Sequence, residues 1–274
     1  MKHILTIQDL SCVGRCSLTV ALPVLSAMGH QCSVLPTAVL STHTAFQKPE
    51  VEDLTDRLSG FARHWQENSI QFHAVTVGYL SDPNQAAIVE QIINNIGAPT
   101  VLDPVMGDHG KLYRRITEEH IAAMKRLAAR ADVILPNLTE AAALTGRPYR
   151  EQADEAYLSE LTDGLLALGA KAAVITGVHL RDGAIGYFGR DKEGNTFSYQ
   201  GKLISRQFHG TGDLFAAVLS GSLLRGLSLD ASAQTAAEFV RACVEHTENV
   251  TPFGVEFEKQ LHRLWEQEIP AAKT

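Results

Sequence analysis

The sequence predicts an α/β protein: a three-layer α/β/α sandwich with a mostly parallel central sheet and an antiparallel hairpin at one edge. Three observations carry this prediction. Short apolar runs alternate with amphipathic segments along the chain, the pattern of repeated strand–helix units. The balance of 274 residues, 45% hydrophobic and 20% charged, suits a globular chain with a sizeable core. One interval departs from the alternation. Two strand-like runs, 184–189 and 196–200, flank the turn-like Asp191-Lys192-Glu193-Gly194 and read as a hairpin. With no repeat, low-complexity stretch or linker, residues 1–274 are expected to form one domain.

Taken in order, residues 1–7 form a first strand, and Gln8-Asp9-Leu10-Ser11-Cys12-Val13-Gly14-Arg15 a polar loop beyond it. A helix follows over 17–28, stopped by Gly29 and kinked or delayed by Pro23. Loops after parallel strands line the ligand crevice of such sheets, so Asp9 and Ser11 can touch a ligand or cap that helix. A second strand, 31–35, is broken by Pro36. The hydroxyl-rich run 37–46, with His43 and Phe46 interleaved, suits a half-exposed flap, extending to about residue 50 over the substrate site.

An amphipathic helix over 51–67 precedes a strand at 73–77 and Gly78-Tyr79-Leu80. Asp82 and Pro83 suit the start of a helix ending near Ile96, with Gly97 beyond. Strand 100–102 delivers Asp103-Pro104-Val105-Met106-Gly107-Asp108, whose two carboxylates suit a hydrated Mg2+ or an ordinary turn. After a helix at 117–131 and a strand at 133–135, Asn137 reads as the cap of a helix ended by Gly146, with Glu140 in its first turn. A helix at 154–168 and a strand at 171–176 lead to the hairpin. Helices 213–224 and 230–248 follow, and the tail Ala271-Ala272-Lys273-Thr274 frays.

The most informative stretch is His209-Gly210-Thr211-Gly212-Asp213-Leu214-Phe215. Its glycines let backbone amides approach a ligand, and the first amides of the following helix lack partners within it. Together with the helix dipole they make an anion site, most naturally for phosphate. Asp213 stands where a carboxylate can take an alcohol proton, or can simply cap the helix. The helix dipole there predicts a depressed pKa for it. The third glycine of a dinucleotide fingerprint is replaced by Phe215, and no P-loop motif occurs.

The net charge of −7 argues against nucleic-acid and anionic-membrane partners. Without a bilayer-spanning run or a leader, cytoplasmic residence is the expectation. Four cysteines, at 12, 16, 32 and 243, match neither a disulfide framework nor a zinc site.

Several separated segments resemble one family, the pyridoxal/pyridoxamine kinases of the ribokinase-like superfamily. They are residues 8–17, Ser41-x-His43-Thr44, Gly78-Tyr79-Leu80, Asp103-Pro104-Val105-Met106-Gly107-Asp108, Pro136-Asn137-x-x-Glu140 and Gly210-Thr211-Gly212-Asp213. The resemblance implies a ribokinase-like fold and transfer of the ATP γ-phosphoryl group to the 5′-hydroxymethyl of vitamin B6. It also implies a homodimer and dependence on Mg2+, often aided by K+. By position, Asp213 is the base and Gly210, Thr211 and Gly212 form the anion hole. Asp103, Asp108 and Glu140 fall in the metal–phosphate region. Asn137 and Thr176, with Asp108, lie near the nucleotide, and Asp9, Thr37, His43 and Tyr79 fall on vitamin-contact positions.

Two residues depart from that family's pattern: Asp9 replaces a common serine, and Leu135 a threonine. Asp9 keeps open a hydroxymethylpyrimidine kinase, whose substrate carries an exocyclic amine. A sugar kinase fits the early segments less well. A non-catalytic pyridoxal-phosphate binder is opposed by the intact anion loop and Asp213.

Overall fold

The computed structural model describes residues 1–265. Its strands are β1 (His3–Ser11), β2 (Gln31–Leu40), β3 (Val51–Asp53), β4 (Ala74–Val77), β5 (Thr100–Leu102), β6 (Gly107–Asp108), β7 (Lys111–Leu112), β8 (Val133–Ile134), β9 (Ala172–Val178), β10 (Ala184–Arg190) and β11 (Thr196–Lys202). Nine of them form one sheet in the order β11-β10-β9-β8-β5-β4-β1-β2-β3, and β6 and β7 make a separate small hairpin. The six strands from β9 to β2 run parallel, while β10, β11 and β3 are antiparallel additions at the edges.

The helices are α1 (Leu18–Ala27), α2 (Thr55–Glu67), α3 (Gln85–Ile96), α4 (Glu118–Ala128), α5 (Leu138–Thr145), α6 (Glu155–Ala167), α7 (Thr211–Leu224), α8 (Leu229–His246) and α9 (His262–Trp265). They cover both faces of the sheet, because the strands alternate their apolar side chains between two cores. Leu5 and Ile7 of β1 join Val89, Met124, Leu144 and Leu161 from α3 to α6. Ile4, just before Leu5, faces the other way, toward Val24 of α1, Leu219 of α7 and Phe239 of α8. The expected sandwich is therefore present, with the antiparallel hairpin where the sequence placed it.

Several helix ends follow directly from their residues. Asn137 Oδ1 accepts the Glu140 amide at 3.0 Å while Glu140 Oε2 accepts the Asn137 amide at 2.9 Å, a reciprocal capping box. Gly146 closes that helix at φ 68, a left-handed conformation that only glycine adopts without strain. Asp154 caps α6 by accepting the Tyr157 amide at 2.8 Å.

Five expectations need correction. β1 runs four residues past Ile7, because Gln8, Leu10 and Ser11 continue to pair with β2. Pro36 does not break β2. β3 pairs only with Ala38–Leu40, so β2 is an edge at Pro36 and a missing N–H costs no ladder bond on that side. The predicted flap therefore begins as strand: Thr37 and Ala38 are fully buried, and only residues 41–50 form a loop. Residues 51–53 pair with β2 instead of opening a helix. Asp82 does not cap α3; it accepts the Asn84 amide at 2.8 Å in the preceding turn. The tail expected to fray, Ala271–Thr274, lies outside the described residues.

Candidate active site

The parallel strands deliver their carboxyl ends to one edge of the sheet, where the anion loop also arrives. Gly210 is the N-cap of α7 at φ 84, and a Cβ there would lie 2.0 Å from the Arg15 carbonyl oxygen. No other residue fits this close approach. A Cβ on Gly212, by contrast, would meet nothing within 4 Å, so that side of the loop is open to a ligand. The loop is anchored from behind: the Val255 amide donates to the His209 carbonyl at 3.1 Å, and the Arg15 amide to that of Phe253 at 2.9 Å.

Asp213 stands half-buried in the first turn of α7 and accepts a hydrogen bond from the Ser17 amide. Burial pushes its pKa up to about 7, with a smaller push from the negative charge of Asp9. This overturns the depressed pKa expected from the helix end: removing the carboxylate from water outweighs the donors that face it. Its carboxyl group is thus near the midpoint of its titration at neutral pH, a property suited to accepting a proton.

Asp9 is buried, 4% exposed, and both its oxygens accept serine hydroxyls: Ser17 Oγ donates to Oδ1 at 2.5 Å and Ser11 Oγ to Oδ2 at 2.9 Å. It does not cap α1, whose N-terminus receives no side-chain hydrogen bond. The register of β1 against β2 slips here, with Thr37 and Ala38 opposite the single residue Asp9. Such bulges re-aim side chains beside functional sites. Ser17 pays for its double role in backbone strain: its φ of 53 is unusual for a residue with a side chain.

A second acidic group lies beyond β5 and β8. Glu140 Oε1 accepts the Met106 amide at 2.9 Å and the Gly107 amide at 3.5 Å, besides its capping bond. Asp103 is raised well above the usual carboxylate range by burial and by the charges of Glu140 and Asp213. Asn137 Nδ2 donates to the Gly107 carbonyl at 2.7 Å, and Asn137 bridges Thr176 at the end of β9. Asp108 lies on the β6–β7 hairpin, exposed and paired with His109 at 3.5 Å, and its charge still reaches Glu140. Among the described residues no three His, Cys, Asp or Glu side chains converge into a metal cage.

Thr37 and Tyr79 meet each other: Thr37 Oγ1 donates to the Tyr79 carbonyl at 2.9 Å. The Tyr79 phenol feels the charges of Asp9, Asp53 and Arg115, which places it on the Asp9 side of the crevice. His43 is held by backbone groups. Its Nε2 meets the Pro252 carbonyl at 2.5 Å and its Nδ1 the Ala45 amide at 3.3 Å, so both ring nitrogens are occupied.

Two residues at this site escaped sequence reasoning. Tyr113 lies close enough to Glu140, Asp108, Asp103 and Asp213 for all four charges to raise its phenol pKa. Its position just after the Asp108-His109-Gly110 turn was the available signal. Ser17 entered only as the last residue of the 8–17 segment and the first of the helix after it, because its strained φ leaves no mark on the sequence.

Comparison with known proteins narrows the reading. The phosphomethylpyrimidine kinase family profile matches residues 25–255. The chain belongs to that family. A Bacteroides thetaiotaomicron structure, described as a candidate phosphomethylpyrimidine kinase in a crystal form with pyridoxal, superposes with a TM-score of 0.92 at 35% identity, covering 96% of this chain and 95% of that one. The pyridoxal kinase of Lactobacillus plantarum gives 0.89 at 35% identity, covering 96% of each chain. A Rhizobium meliloti hydroxymethylpyrimidine/phosphomethylpyrimidine kinase is 25% identical over 84% of this chain and 86% of its own length.

The likeness to pyridoxal kinases and the ribokinase-like fold thus both hold, and the activity is that of a kinase. The family's two substrate classes, however, are both represented among its relatives. No described helix is long and apolar enough to cross a membrane.

Proposed function

We propose that this kinase transfers the γ-phosphoryl group of ATP to the 5′-hydroxymethyl of a B6 vitamer (pyridoxal, pyridoxamine or pyridoxine), giving the 5′-phosphate. The observation that carries this reading is Asp213, its pKa raised to about 7, set beside an anion loop open at Gly212. The solved relatives at 35% identity, one a pyridoxal kinase and one crystallised with pyridoxal, support the vitamer over the pyrimidine.

In this mechanism the amides of Thr211 and Gly212 hold the transferring group at the N-terminus of α7. The substrate oxygen forms its bond to phosphorus as the bond to ADP breaks and its electron pair leaves on ADP. The hydroxyl proton passes to Asp213, and the Ser17 amide fixes the direction of that carboxylate. Asn137, beyond β8, and Thr176, in β9, are joined by a bridge and face the nucleotide, and Tyr79 faces the vitamer ring.

Asp103 and Glu140 would hold Mg2+ with Asp108 nearby. Glu140 raises the proton affinity of buried Asp103 and Asp108 that of buried Glu140, a donor set a cation relieves, and Mg2+ takes few protein ligands beside phosphates and waters. When bound, the ion neutralises phosphate charge. K+ assistance, a homodimer and cytoplasmic residence belong to the same proposal.

The alternative substrate is hydroxymethylpyrimidine, favoured by the family profile and by the Asp9 carboxylate, which suits an exocyclic amine. Coupled ATPase assays against pyridoxal, pyridoxamine, pyridoxine and hydroxymethylpyrimidine decide between them. The B6 reading fails if kcat/KM is highest for the pyrimidine. A chain that binds pyridoxal phosphate but turns over none of the four is a binder instead.

A further inference from the structure

His43 belongs to the 41–50 loop and makes contacts both within it and outside it. The residue is 5% exposed, and its ring packs edge-on to Phe46 at 5.1 Å and against His209 at 5.2 Å. Phe46 in turn meets Phe253 at 5.6 Å, and the His43 amide donates to the Val13 carbonyl at 3.4 Å. Gly14, at φ 106, lies directly beneath: a Cβ there would come within 2.2 Å of His43 Cδ2.

Three further loops therefore converge on this one side chain: residues 12–16 after β1, residues 252–254, and His209 immediately before the anion loop. The last two are themselves joined by the Val255–His209 hydrogen bond. The Ala45 amide donates to Nδ1, so Nε2 carries the proton and donates to Pro252. Neither nitrogen is left for a substrate.

We infer that His43 is a positioning residue that clasps the 41–50 loop to the backbone behind the anion hole, so that covering the alcohol site and setting the phosphate loop are one event. This deepens the proposed phosphotransfer function and rests on it. Its consequence is chemical. With the clasp closed, the alcohol is the acceptor; with it open, water reaches the γ-phosphoryl group, and ATP is hydrolysed without product.

Two variants test this. His43→Phe keeps the ring contacts and removes the hydrogen bond to Pro252, and His43→Gln keeps a donor at similar reach. Losing this part-buried hydrogen bond shifts a local opening equilibrium by roughly 2- to 13-fold. Hydrogen exchange of the unliganded protein should therefore accelerate by that factor in His43→Phe, in residues 41–50 and 251–255 together. The ratio of ATP hydrolysed to alcohol phosphorylated should rise in parallel, and His43→Gln should recover part of both.

Exchange that accelerates in 41–50 alone would overturn the clasp. So would a higher alcohol KM with an unchanged coupling ratio, which would make His43 a ring contact. If the wild type phosphorylates none of the alcohols, the proposed function fails. The exchange arm, which needs no substrate, still judges the clasp.

Discussion

The raised pKa of Asp213 makes the strongest quantitative prediction. A group acting as proton acceptor works only when ionised, so kcat/KM for the alcohol should follow its ionised fraction. With a pKa of about 7, that fraction is roughly 0.9 at pH 8 and roughly 0.1 at pH 6, a fall of about tenfold. At the ordinary value of 3.8 the change over the same interval would be about 1%. Initial rates at limiting alcohol and saturating ATP, read from pH 5.5 to 8.5, measure the difference.

Asp213→Asn should lower kcat by about 10²–10⁴-fold and flatten the remaining profile, with ATP affinity little changed. Stability gives an independent reading. The folded chain holds this proton between pH 3.8 and about 7 where the unfolded chain has lost it, so the group's contribution to stability is present at low pH and lost as pH rises through about 7. Thermal denaturation should therefore show Asp213→Asn gaining on the wild type as the pH is raised from 5 to 8. A flat wild-type rate profile across pH 6–8, or near-wild-type kcat in the variant, would reduce Asp213 to a helix cap.

Other expectations follow from single contacts. Glu140→Ala leaves the Met106 and Asn137 amides without their acceptor and should cost about 1–3 kcal/mol, read as a lowered Tm; an unchanged Tm would mean those amides find other partners. Hydrogen exchange in residues 41–50 should slow when vitamer and a nucleotide analogue bind together, and equal protection in both states would remove the idea of a cover. Asp9→Asn removes a negative charge that raises Asp213, so the acid limb of the kcat/KM profile should move to lower pH. The ratio of pyridoxamine to pyridoxal efficiency should hardly move in that variant, because both Asp9 oxygens are engaged by serines. A shift of roughly 10- to 150-fold, the worth of a charge-assisted hydrogen bond, would instead put the carboxylate on the substrate.

Much of the fold was legible because its signals are local. The glycines ending α3 and α5, the Asn137–Glu140 box and the alternating apolar residues of β1 each report on their own neighbourhood. What escaped depends on partners distant in sequence. Pro36 reads as a breaker until β3 is seen to leave that part of β2 uncovered. The residues after Ile7 read as loop until β2 arrives beside them. The site divides in the same way. Gly210-Thr211-Gly212-Asp213 reads as an anion loop by itself, whereas the raised pKa of Asp213 needs the burial that only the assembled loops supply. His43 shows the limit of motif reading: the residue sits at the matching position, but its two nitrogens are already spent on backbone.

Asp9 gathers these threads at one point of the chain. Where a kinase of the resembled pattern has a serine, this one buries a carboxylate, and an uncompensated buried charge is costly. The compensation lies in the neighbouring residues. The slip of β1 against β2 leaves Asp9 as the single residue facing Thr37 and Ala38, and Ser11 and Ser17 each donate a hydroxyl to it. The Ser17 bond has a second effect, because the same residue presents its amide to Asp213 from a positive-φ conformation that its neighbours must hold in place. The substituted residue is therefore tied through Ser17 to the candidate base, and its charge helps to set that base's proton affinity. A change that looks like one of substrate selectivity in the sequence becomes, in the folded chain, one that also governs how readily Asp213 takes a proton.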